Sequence, residues 1–134
     1  MNDRVLALGI RVIAALFALL YLQSTYDFIV NHHVSFMTYT AVEPMAQWAV
    51  ANLGARLLGI ALGFLIALAL RNDTLLALMF AVRLCADVTD FWISTHTPGA
   101  EAMVGWILLA FFAIEALCLA ALLKHQNLVL RKRI

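Results

Sequence analysis

Charged residues are scarce in this chain, and their scarcity excludes an ordinary soluble domain. Of 134 residues only 13% are charged and 65% are hydrophobic, whereas a soluble domain has about 25% charged and about 45–50% apolar residues. The mean hydropathy is +0.94. This apolar excess is too large for the core of so short a soluble chain, so the composition predicts a polytopic membrane protein.

Other features that the sequence lacks exclude further classes of function. The net charge is +1, and no basic run interleaved with aromatic residues occurs, so no nucleic-acid partner is predicted. The two cysteines, Cys85 and Cys118, form no CxxC motif, which argues against a thiol–disulfide enzyme. His32, His33 and His96 show no metal-ligand spacing. We therefore predict neither a metal site nor a cofactor.

Four apolar segments have the length of membrane helices. We predict helices at about 4–30, 44–70, 74–94 and 100–123. Thr40 and Glu43 have the spacing of a capping box, and Pro44 suits the first position of the second helix. The predicted fold class is all-α, a polytopic membrane four-helix bundle in a single transmembrane domain spanning residues 1–134.

The distribution of lysine and arginine predicts the orientation in the membrane. Basic residues flank the first helix, the turn between the second and third helices, and the tail: Arg4, Arg11, Arg71, Lys124, Arg131, Lys132 and Arg133. The other two loops contain none. Both termini are therefore predicted to be cytoplasmic. Trp48, Trp92 and Trp106 then lie toward the outer face, where an aromatic belt is expected.

Three ionisable residues interrupt the third apolar segment on one helical face. Arg83, Asp87 and Asp90 are spaced i, i+4 and i+7. A charge in hydrocarbon costs roughly 2.5–3.5 kcal/mol, so this face must be turned toward protein or a wet cavity. We predict that it is the centre of a polar interior shared by the helices.

Counting residues from the cytoplasmic helix ends predicts how the buried charges pair. Arg11 and Glu115 fall at one level in the inner half, and Arg56 and Asp87 at one level in the outer half. Arg83 lies between these two levels and can reach either Asp87 or Glu115. Three positive charges thus meet three negative ones, counting Asp90, as a low-dielectric interior requires.

The second helix is predicted to present a polar stripe to this interior. The stripe has helical spacing and consists of Asn52, Arg56, Gly59 and Gly63, and its glycines would let a neighbouring helix approach closely. Other large side chains of the helix can face lipid: Leu57, Leu58, Leu62, Phe64 and Leu65. Tyr21 and Tyr26 are candidates to line the cavity, with interfacial anchoring as the alternative for Tyr26.

Two segments resemble the DoxX-like group of small four-helix bacterial membrane proteins. They are residues 10–17, IRVIAALF, which open the first helix, and residues 54–63, GARLLGIALG, which precede a short basic turn. The resemblance implies a bundle in the bacterial inner membrane, in a group with some members tied to oxidoreductase or quinone-linked systems. No catalytic residue is carried over from it.

The leading functional hypothesis is a charged cavity that binds a small amphipathic or lipid-like molecule. Asp87 or Asp90 would act as acid or base if the protein is an enzyme, and Arg56 and Arg83 would hold an anionic or carbonyl group. The other predicted ligand-binding residues are Arg11, Asn52, Glu115 and Tyr26. Three alternatives remain: a small proton-coupled exporter, an accessory subunit of a membrane redox complex, and a cluster that serves only to hold the helices together. Membrane lipids are expected partners, and a homodimer remains open.

Overall fold

Four long helices form the described part of the chain, as predicted. The computed structural model describes residues 3–34, 39–96 and 102–131. The helices are α1 (Asp3–Val30), α2 (Pro44–Ala69), α3 (Asp73–His96) and α4 (Ala102–Arg131). Between α1 and α2 lies a short antiparallel pair, β1 (His33–Val34) and β2 (Tyr39–Thr40). The all-α prediction is confirmed for the described residues, and α4 extends beyond its predicted end at residue 123.

Three helices are long and apolar enough to cross a membrane, which indicates a membrane protein. Within the described part of the chain these spans are Val5–Val30, Pro44–Ala69 and Trp106–Gln126. Helix α3 differs because Arg83, Asp87 and Asp90 interrupt its apolar sequence. Its charged face must therefore be buried among the other helices if α3 lies in the same apolar environment.

Local backbone chemistry sets the ends of α2 and the start of α3. Helix α2 begins at Pro44, but the capping box is wrong: Thr40 lies in β2, and Glu43 makes no capping hydrogen bond through its side chain. At the other end, Arg71 has a positive φ of 49°, and the amide of Asn72 donates to the carbonyl of Ala67 at 3.1 Å. This left-handed termination turns the chain tightly into α3.

An aromatic core joins the helices. Helix α1 packs mainly along α2, and α3 mainly along α4. The ring centre of Phe64 in α2 lies 5.1 Å from that of Phe80 in α3 and 6.4 Å from that of Tyr21 in α1. All three side chains are buried. The prediction that Phe64 can face lipid is therefore wrong, because α2 turns this side of the helix inward.

The predicted polar stripe of α2 does not face the core. Asn52 is exposed, and its amide donates to the carbonyl of Trp48 in its own helix at 2.9 Å. Gly59 is exposed as well, whereas Gly63 faces the side chain of Met79 in α3. The close helix approach occurs instead at buried Gly54, where an added Cβ would lie 2.9 Å from that of Phe28 in α1.

Candidate functional site

The buried charges gather around Arg83, on the core face of α3. Its Nε donates a hydrogen bond to the Tyr21 hydroxyl at 2.7 Å and lies 3.6 Å from Oε1 of Glu115. The guanidinium also forms an ion pair with Asp87, one turn further along α3. We call these four residues, Tyr21, Arg83, Asp87 and Glu115, the charged cluster. The prediction that Arg83 reaches Asp87 or Glu115 is confirmed, because it reaches both.

Tyr21 connects α1 to this arrangement. Its hydroxyl accepts the hydrogen bond from Arg83 and donates one to Oε1 of Glu115 at 2.9 Å. The guanidinium carbon lies 5.1 Å from the centre of the tyrosine ring, within the range of a cation–π contact. The ring of Tyr21 is stacked against those of Phe17 and Phe64. Aromatic packing therefore fixes the position of the hydroxyl that holds Arg83 and Glu115 together.

The cluster contains two acidic side chains and one basic side chain. Asp87 and Glu115 are 1% and 0% exposed, and their neighbouring carboxyl groups interact with each other and share Arg83. Oδ1 of Asp87 is engaged by Arg83, whereas Oδ2 of Asp87 and Oε2 of Glu115 have no hydrogen-bond donor among the described groups. Buried carboxylates need compensating charge and hydrogen-bond donors. One further positive charge, either a proton or a cationic group, would balance the cluster.

Arg56 lies at the margin of the cluster rather than within it. The predicted Arg56–Asp87 pair is wrong: a guanidinium nitrogen of Arg56 lies 3.9 Å from Oδ1 of Asp90, and Arg83 lies 3.8 Å from the other oxygen of Asp90. Side chains of a helix lean toward its N-terminus, so the guanidinium of Arg56 lies closer to the N-terminus of α2 than the Cα of Arg56 does. The side chains of Arg56 and Asp90 remain 54% and 34% exposed.

Arg11 belongs to a separate ion pair. The predicted pairing with Glu115 is wrong, because the guanidinium of Arg11 binds Oδ1 of Asp73 at 2.8 Å. The same lean toward the helix N-terminus carries Arg11 down to the start of α3, while Tyr21 takes the place next to Glu115. This second ion pair is partly exposed and joins α1 to α3 at one end of the protein.

Two other predicted site residues lie outside the cluster. Tyr26 is 60% exposed, and Asn52 lies on the exposed side of α2. Tyr26, and not Tyr21, was among the predicted ligand-binding residues. The missed signal is the spacing of the buried α1 residues Ala14, Ala18, Tyr21 and Thr25, because small and polar side chains at i, i+4, i+7 and i+11 mark a packed face.

An apolar groove lies between α1 and α4, and no residue of the charged cluster lines it. Its volume is about 300 Å³, and it is lined by Val5, Gly9 and Ile13 from α1 and by Leu117, Cys118 and Ala121 from α4, among others. Cys118, which lines the groove, follows Glu115 by one helical turn. Among the described residues, no three histidine, cysteine or acidic side chains gather in a way that could hold a metal ion.

Comparison of the chain with protein-family models, with curated proteins and with solved structures finds no match. The charged cluster and the apolar groove are therefore the observations from which a function is proposed.

Proposed function

We propose that this chain is a four-helix protein of the bacterial inner membrane, with both termini cytoplasmic, that binds a small amphipathic cation. Three apolar helices support membrane insertion, and the positive-inside distribution of lysine and arginine supports the orientation. The resemblance to DoxX-like proteins stays a prediction. The cationic head of the ligand would bind Asp87 and Glu115, and its apolar part would occupy the groove between α1 and α4.

The unbalanced carboxyl groups carry this proposal. Arg83 is already engaged by Tyr21, Asp87 and Glu115, so it has little remaining capacity for an anionic or carbonyl ligand. The unused hydrogen-bonding capacity is on Oδ2 of Asp87 and Oε2 of Glu115. A primary ammonium supplies one positive charge and three donors, which is what these oxygens lack. The structure thus favours a cation over the anion suggested by the arginines in the sequence.

The groove supports the amphipathic character of the ligand. All the side chains that line it are apolar or weakly polar, and small-molecule sites are mostly apolar with a few polar groups that fix orientation. The alkyl chain of the ligand would lie along α1, with its head directed past Cys118 toward Glu115. The ligand could enter sideways from the lipid without crossing the aromatic core.

Binding of decylammonium to the protein in lipid nanodiscs tests the proposal. We expect saturable binding by calorimetry, with an affinity at least tenfold weaker for Asp87→Asn and for Glu115→Gln, because each variant removes a charge that the ammonium needs. Decyl sulfate, with the same chain and the opposite charge, should not compete. Asp73→Asn is the matched control, since this carboxylate of α3 pairs with Arg11 outside the cluster. Equal binding by wild type and a folded Asp87→Asn variant would refute the proposal.

Proton-coupled export is the second candidate, and the same carboxyl groups favour it. A proton would balance the cluster whenever the cation is absent, so the two would occupy the site alternately. In liposomes that contain a pH-sensitive dye, an inward gradient of the amphipathic cation should then drive protons outward through wild type but not through Asp87→Asn. Binding without proton movement would leave a binding protein and exclude an exporter.

A further inference from the structure

The ion pair of Arg56 and Asp90 is incomplete in a single copy of the chain. Arg56 lies about 18 Å from the start of α2 and about 20 Å from its end, at 1.5 Å per residue. It is therefore in the middle of a helix that is apolar enough to cross a membrane. More than half of its side chain is exposed, and its contact with Asp90 is long at 3.9 Å. A half-exposed guanidinium at this depth is costly in lipid.

The surface around Arg56 is open and can be approached closely. Gly59 is one turn further along the same face of α2, and apart from its own stretch of helix no described atom lies within 4 Å of the position where its Cβ would be. Asn52, one turn before Arg56, is also exposed. Exposed polar residues and a glycine on one helical face are typical of contacts between membrane helices. We call this surface, Asn52, Arg56 and Gly59 with Asp90 of α3, the α2 polar face.

We propose that the α2 polar face is where a second copy of this chain packs, with Arg56 of each copy bound to Asp90 of the other. Charge complementarity favours a second copy of the chain as the partner. A two-fold axis brings the same surface of both copies together. Arg56 of each copy then faces Asp90 of the other, which gives two ion pairs between the copies. An identical chain always has the opposite charge at the matching position. Packing against it removes Arg56 and Asp90 from the lipid.

This interface lies away from the groove that would hold the apolar part of the proposed ligand. The groove is formed by α1 and α4, whereas the α2 polar face is formed by α2 and α3. Self-association therefore leaves the groove open. Asp90 lies 3.8 Å from Arg83 at the margin of the charged cluster, so the two proposals are separated by experiment: a monomeric wild type that still binds decylammonium overturns the dimer alone.

Exchanging the charges between copies tests the proposed pairing. In Arg56→Asp both positions are acidic, and in Asp90→Arg both are basic, so neither variant forms matched pairs with itself. A mixed dimer restores both pairs between copies. For chains labelled at a terminal tag in liposomes, we expect energy transfer in wild type, at least tenfold weaker self-association of each variant, and recovery when the two variants are mixed. A monomeric wild type, or no recovery on mixing, would overturn the pairing.

Gly59→Leu provides a second test that leaves all charges in place. A leucine at this position fills open space in one copy but blocks the approach of another, so we expect monomers by single-molecule photobleaching. Gly9→Leu is the matched control, because Gly9 also has no described atom beyond its own stretch of helix within 4 Å of its added Cβ but lies on α1. It should remain dimeric, and circular dichroism should show equal helix content in both. Dimers of Gly59→Leu as stable as wild type would rule out this face.

Discussion

Replacement of Arg83 by methionine is expected to destabilise the protein by about 3–5 kcal/mol, the usual cost of breaking a buried ion pair. The change leaves Asp87 and Glu115 together in the interior without their shared cation. It also removes the donor to the Tyr21 hydroxyl. Methionine has a similar length and is apolar, so the loss reports the missing charge rather than a large cavity. Unfolding by SDS titration in mixed micelles measures the free energy.

Arg11→Met is the matched control, because the Arg11–Asp73 pair is partly exposed. Such pairs contribute about 0–1 kcal/mol, so this variant should unfold close to wild type. If Arg83→Met lowers the free energy of unfolding no more than Arg11→Met does, the charged cluster is not buried.

A triple variant separates stability from function at the same site. In Arg83→Met, Asp87→Leu and Glu115→Met together, no charge of the cluster remains, and well-packed apolar groups often restore or exceed the stability of a buried ion pair. We expect such a variant to recover most of the loss caused by Arg83→Met. Recovery would show that these charges are not needed to hold the helices together. The hypothesis of a purely structural cluster would then be excluded, and ligand or proton binding would remain as the reason for the charges.

Features that depend on position along a helix were predictable from the sequence. The apolar lengths gave four helices, and three of them fit membrane spans. The contact between Arg83 and Asp87 followed from i, i+4 spacing on one helix. The approach of Arg83 to Glu115 followed from counting levels along α3 and α4. Rise per residue is the same in every α-helix, so depth can be read from residue numbers alone.

Features that depend on side-chain direction and helix rotation were not predictable in this way. Arg11 and Arg56 each pair with a carboxylate displaced toward the N-terminus of their own helix, which backbone levels do not reveal. The rotation of α2 was misjudged because lipid and protein interior are both apolar, so leucine and phenylalanine can face either. The polar residues of α2 therefore suggested an inward face, whereas Phe64 and Gly54 point inward.

Phe64→Ala is expected to destabilise the protein by about 3 kcal/mol, at the lower end of the range for phenylalanine truncation. The side chain is fully buried between Tyr21 and Phe80. In a membrane the separated helices still hold Phe64 in an apolar medium, so the cost comes from lost packing contacts rather than from transfer to water. SDS titration again measures the change.

Phe112→Ala supplies the same chemical change at an exposed position of α4, and it should have little effect because lipid fills the space. The loss of the Phe64 ring should also affect the position of Tyr21 in the charged cluster. The Tyr21 ring would lose one of its two stacked neighbours, so its hydroxyl would be held less firmly between Arg83 and Glu115. Phe64→Ala should therefore weaken decylammonium binding, whereas Phe112→Ala should not. Equal stability of the two variants would show that α2 turns Phe64 toward the lipid, as the sequence analysis had predicted.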